Sequence, residues 1–301
     1  MADTPRSAAS RYDKKMRLAN SHLTDLARFR LALRGLVVIL ISITSISCGQ
    51  NAFLESAKRD TDAALLFEAK KQMNGAQWTA AIETLLRLSP TGRADRSAKT
   101  ALASAYAGRC GLNLIRLAKT LADAGNAGLF DLFMAAVRDA TTSSIADCKE
   151  AEEVLRSISA DPAARSVDEN LMLSFIEFSK MGAILSTYAD TNGDGTPDPG
   201  FDACNTSDIP EAMVREFGTG ITLAIEGLNA SGSSLGSSLA TAVSGACAAL
   251  AGVNPAYDFC SITDPADFTA DQVKALAGLI HSEDEPGIGT CEDTLAACVC
   301  P

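Results

Sequence analysis

The sequence predicts an all-α protein, either a helical-hairpin array or an irregular helical bundle, stapled by disulfides. Three observations carry this. Beyond Cys48, Ala, Leu, Lys, Arg and Glu dominate, and these are strong helix formers. Apolar residues recur every three to four positions, the spacing of one helix face. No alternating segment of useful length occurs; Ile221–Ile225 is the nearest and sits in helical surroundings. The chain holds nine cysteines. Setting Cys48 aside leaves Cys110, Cys148, Cys204, Cys247, Cys260, Cys291, Cys298 and Cys300, an even set suited to bridges in an oxidising compartment.

The elements follow in order. A first helix is expected at 61–73, with Leu65, Leu66, Ala69 and Met73 on one face, ended by Asn74-Gly75. A second runs over 77–88, where Trp78, Ala81, Ile82, Leu85 and Leu86 repeat at helical spacing, and Ser89-Pro90 stops it. Trp78 reads as core. Helices are expected at 96–109, 111–124, 127–139 and 143–159. Asp161-Pro162 is a cap followed by a first-turn proline. Residues 166–188 give the strongest pattern, with Leu171, Phe175, Phe178 and Leu185 on one face and Met172 and Ile176 beside it. Residues 190–206 are a loop of Asp, Asn, Gly and Pro. Helix returns at 208–228, and a Gly/Ser-rich stretch follows at 229–237. In the Ala-rich stretch 238–251, Leu239, Val243, Ala246 and Leu250 have the spacing of a closely packed helix. The last helix is expected at 270–281, opened by the capping box Thr269-Ala-Asp-Gln272.

Asn74-Gly75-Ala76-Gln77-Trp78-Thr79-Ala80-Ala81-Ile82-Glu83, closed by Pro90, resembles the turn and second helix of a tetratricopeptide repeat. An aromatic follows the tight turn, and Ala81 stands where the two helices cross closely. Residues 98–124 offer a second, poorer copy. The resemblance implies a helical-hairpin domain over 61–189, as in helical lipoproteins associated with TRAP transporters or with outer-membrane protein assembly. Residues 190–301 form an acidic, cysteine-rich helical region.

Charge divides at the same place. Residues 48–189 carry 16 Lys+Arg and 17 Asp+Glu, whereas 190–301 carry only Arg215 and Lys274 against 17 acidic residues. So acidic a surface repels phosphate backbones, which excludes nucleic acid as a partner. It does not adhere to anionic bilayers by charge either.

The address is written near the start. Arg28, Arg30 and Arg34 precede residues 35–48, an apolar region of about a dozen residues that ends in small residues and closes on Cys48. The apolar stretch is too short for a comfortable span of about 20 residues. This order resembles the signal peptide of a bacterial lipoprotein of the signal peptidase II type, although Ser45 stands where Leu or Val is usual. The resemblance implies a leader over 1–47, with Met16 an alternative start. It also implies a mature chain beginning at a Cys48 modified with palmitate-type acyl chains, and a tether over 48–60. Gly49 follows the cysteine rather than Asp, which implies the outer membrane, facing the periplasm or exterior, with the bilayer as one partner and an envelope protein as another. Lipidation also accounts for the odd ninth cysteine. The bridges among the other eight are expected to join Cys291, Cys298 and Cys300 of the tail to the 204–260 region.

Two motifs bear on chemistry. Asp190, Asn192, Asp194, Thr196 and Asp198 place oxygen donors at alternating positions around Gly195. Calcium wants six to eight oxygens, and a tight loop aims alternate residues inward. The pattern looks like an EF-hand-type loop, or the related thrombospondin type-3 and dockerin loops, and implies a structural calcium ion. Phe201 occupies the twelfth position, where a bidentate Glu is usual, and Asp202 is taken as the sixth contributor. Without that Glu the site is expected to be weak. The second motif, Gly232-Ser-Ser234-Leu-Gly236, matches the nucleophile elbow of serine hydrolases, with Asp264 and His281 downstream. An elbow needs a strand before Ser234, and none is expected. No catalytic residue is therefore assigned. The reading is a membrane-anchored binding or scaffold module without enzymatic activity; the alternatives are a calcium-dependent surface component without a specific ligand and, remotely, a hydrolase using Ser234.

Overall fold

The computed structural model describes residues 60–301 apart from 123–127, 139, 233, 284–286 and 293. The expected leader over 1–47, Cys48 and all of the expected tether but Asp60 lie outside the described residues. Within them are eleven α-helices and no strand, so the all-α expectation holds. None of these helices is long and apolar enough to cross a membrane.

Helix α1 (Asp62–Asn74) is capped by Thr61, whose hydroxyl accepts from the amide of Ala64, and it buries Leu65 and Ala69. Asp62 also takes the Ser89 amide at 2.8 Å, which ties the start of α1 to the end of α2 (Trp78–Leu86). Ser89-Pro90 does more than stop α2. The Ser89 hydroxyl accepts from the Gly92 amide, and Pro90 opens the short helix α3 (Pro90–Ala94). Its missing N–H is no loss in a first turn. Helix α4 (Arg96–Cys110) is capped by Asp95 and buries five alanines between Ala98 and Ala107. Such small side chains permit close approach from several sides. At Gly108 an added Cβ would stand 2.6 Å from the Trp78 ring, so half-buried Trp78 packs directly on the α4 backbone.

Beyond α4 come α5 (Leu114–Ala122), α6 (Leu129–Ala136) and α7 (Thr142–Arg156). Helix α8 (Val167–Tyr188) starts with a reciprocal capping box between Ser166 and Glu169 and is buried through most of its length. Helix α9 (Glu211–Ser231) packs along it, followed by α10 (Ser234–Val253) and α11 (Ala270–His281), the latter opened by the expected Thr269–Gln272 capping box.

Packing orders these helices into three pairs: α1 with α2, α4 with α7, and α8 with α9. Each later pair sets its first helix against the pair before, α4 on α1 and α2, then α8 on α4 and α7. The expected second hairpin over 98–124 is not formed. Helix α4 packs on α7 instead of α5, because Ala103 and Ala107 share a core with Ala151 and Leu155, and Cys110 bonds Cys148. Helices α5 and α6 form an insert between the two. Helix α6 docks on α8 through Phe133 stacked on Phe178 (4.6 Å between centroids) and meets α9 through Phe130 set edge-on to Phe217 (4.8 Å). The main core runs across residue 190, joining Phe130 and Met181 to Phe217 and Leu276.

Four disulfides are present: Cys110–Cys148, Cys204–Cys300, Cys247–Cys260 and Cys291–Cys298, with Cα atoms 5.1 to 6.1 Å apart. Of the three tail cysteines only Cys300 reaches back, to Cys204. Cys291 and Cys298 close the tail on itself, because residues 288–291 first fold over the end of α11. There the amides of Ile288 and Cys291 donate to the carbonyls of Ile280 and His281 at 3.0 and 3.1 Å. Those carbonyls lack partners within the helix.

Candidate functional site

The 190–198 segment leaves the end of α8 and curls at once. Gly193 and Gly195 take φ of 73° and 89°, the left-handed region that costs glycine little. Asp190 is buried, and its two carboxylate oxygens accept from the amides of Asp194 (3.0 Å) and Gly195 (2.9 Å). Asn192 accepts from the Asp194 amide, and Asp194 from the amide and hydroxyl of Thr196. Asp198 closes the loop by accepting from the amide and hydroxyl of Thr191 and from the Asn192 side-chain amide. The hydroxyl of Thr196 lowers the pKa of Asp194, and that of Thr191 lowers the pKa of Asp198. These bonds favour the ionised form of Asp194 and Asp198. A carboxylate offers about four lone-pair sites. These bonds leave some of them open, so an all-oxygen donor set remains that suits a hard cation.

Asp202 stands apart from that curl. Its Oδ1 accepts from the Cys204 amide at 2.8 Å and lies 3.2 Å from Nδ1 of His281 at the end of α11. The atoms of Asp202, Cys204 and His281 lie within 4.8 Å of one another. The Cys204 sulfur, however, is bonded to Cys300 and offers no thiolate. The structure therefore gathers Asp190, Asn192, Asp194, Thr196 and Asp198 into one turn and sets Asp202 against His281.

A different feature lies on the face shared by α1, α4 and α8, the first helices of the three pairs. An open groove of about 660 Å³ is lined by Lys70 and Met73 of α1, by Ser97, Thr100 and Ser104 of α4, and by Glu169 of α8. Arg96 spans it, with Nε 2.7 Å from Glu169 Oε1, a second guanidinium bond to Oε2, and a third to the Ala164 carbonyl. The hydrogen bond from Arg96 holds Glu169 down at a pKa of about 2. Sequence reading missed this groove. Ser166-x-x-Glu169 is a legible capping box, but a partner 73 residues away leaves no local signal.

Sequence reading also missed a buried ionic cluster at the centre of α7, α8 and α9. Lys180 is fully buried and donates to Glu152 Oε2 at 2.5 Å and to the Thr219 hydroxyl at 3.3 Å. Glu177 and Glu216 lie beside it.

Ser234 is the first residue of α10 and follows α9 through Gly232, whose φ is 65°. The motif therefore joins helix to helix, where an elbow requires strand to helix. No protein-family model matches this chain, and no curated protein or solved structure is significantly similar to it.

Proposed function

We propose that the protein is a lipid-anchored module of the bacterial cell envelope that binds a partner along the face where α1, α4 and α8 line up. The observation that carries this is the open groove itself. It takes its lining from one helix of each pair, it sets Ser97, Thr100 and Ser104 beside the apolar Met73 and Ala101, and the Arg96–Glu169 pair bridges α4 to the start of α8 within it. An array of helix pairs holds such a face rigid, which limits the ordering cost of binding. The anchor rests on the basic–apolar–cysteine order before Cys48, and the oxidising compartment agrees with the four bridges. The turn at 190–198 holds a structural calcium ion through Asp190, Asn192, Asp194, Thr196 and Asp198. It lies beside the packed end of α8 and serves the fold.

The test is capture from detergent extracts of membranes, comparing the wild-type chain with Thr100→Arg, which fills the groove floor. A defined protein held by the wild type and lost by Thr100→Arg supports the reading. Equal capture by both removes the groove from it.

A further inference from the structure

Glu177 is fully buried in the middle of α8, and neither of its carboxylate oxygens has a hydrogen-bond partner. The Lys180 ammonium lies 2.7 Å from Glu177 Oε2, but out of hydrogen-bond alignment. Its aligned bonds go to Glu152 of α7 and Thr219 of α9, and Glu216 Oε2 of α9 lies 3.8 Å away. From α7, Arg156 pairs with the far oxygen of Glu152 at 2.9 Å and Lys149 with Glu216 at 2.6 Å. Both are part-exposed and pair with those carboxylates, and Arg156 reaches Glu177 only as a weaker, longer-range charge. Gly220 of α9 covers Glu177 Oε2 and brings no side-chain donor. One buried ammonium therefore stands among three carboxylates. Two of them have a cation of their own besides; Glu177 has none.

A buried carboxylate that shares its one near cation with two other carboxylates is costlier than the neutral acid. We propose that Glu177 is a neutral carboxylic acid in the folded protein and that its ionisation as pH rises loosens α8 from α7 and α9, a pH-sensitive latch between the second and third helix pairs. Burial raises its pKa well above the usual carboxylate range, Glu152 adds to that, and Lys180 offsets it only in part. Glu152 goes the other way: burial would raise it, but Lys180 and Arg156 outweigh burial and keep it ionised. The sign follows. A group that binds its proton more tightly when folded contributes stability fully below the unfolded value of 4.5, and loses it as pH rises through the folded pKa.

The test is urea unfolding of the full chain in detergent at pH 5, 7 and 9, for wild type and Glu177→Gln, which keeps the shape and cannot ionise. The unfolding constant of the wild type, taken relative to Glu177→Gln, is expected to rise about tenfold per pH unit above roughly pH 5 until the folded pKa is reached. Parallel pH profiles for the two proteins would overturn the proposal. A second readout needs no variant. Folded wild type at pH 7 is expected to show the infrared stretch of a protonated carboxyl that disappears on unfolding, and its absence in the folded protein overturns the proposal independently.

Discussion

Glu169 and Glu177 sit two turns apart on α8 and show how neighbours decide what a carboxylate does. Glu169 faces Arg96 and the amide of Ser166, and it is held ionised with a pKa of about 2. Its stabilising effect is present above the unfolded value of 4.5 and is lost as pH falls through about 2. Because Arg96 is half-exposed, solvent screens the pair, and Glu169→Gln should cost about 1–2 kcal/mol at pH 7. Denaturant melts across pH should show that difference shrinking below pH 4.5; a difference that persists unchanged at pH 2.5 would assign the effect to packing. The start of α8 was legible from its apolar spacing, and the local signal Ser166-x-x-Glu169 that caps it went unread. The environment of Lys180 was not legible. A Glu and Lys three residues apart read the same on a solvated face as in a core, and only the third helix makes the difference.

At the scale of elements, caps and apolar spacing placed most helices within a few residues. Where the reading fell short, a long-range contact decided. Helix α3 exists because Ser89 is both a cap for it and a partner of Asp62, 27 residues earlier. Helix α4 passes over its neighbour α5 for α7, and Cys110–Cys148 fixes that choice across 38 residues. The 190–198 turn was the most legible element, because its side-chain bonds all join residues within seven of each other. The position of Asp202 was not, since it depends on His281 of α11. If the turn binds calcium without the usual twelfth-position Glu, its affinity should be on the order of 10⁻⁴–10⁻³ M. At about 1 mM calcium, roughly one to ten times that Kd, binding would stabilise the fold by about 0.4–1.4 kcal/mol. Melting curves with and without millimolar calcium should show that gain in the wild type and not in Asp194→Ala. Identical responses of the two proteins would leave the loop a turn and no more.

For the whole molecule, composition gave the all-α class and the bridges, while the order of packing came only from the structure. The groove illustrates why. Lys70, Thr100 and Glu169 belong to three separate helices, and no spacing rule links them until α1, α4 and α8 are set side by side. The anchor is a separate question with its own answer. Mass spectrometry of the mature protein should find Cys48 as a lipidated N-terminus, and Cys48→Ala should leave the chain unprocessed or soluble; an unmodified Cys48 in the mature protein would refute it. The most direct measurement of the central claim is site-specific photo-crosslinking in intact envelopes. A crosslinker is placed either at Ser97, exposed in the groove, or at Glu83, exposed on α2 away from it. The groove account predicts one discrete partner adduct from Ser97 and none from Glu83. Adducts of equal yield from both positions, or none from Ser97, would contradict it.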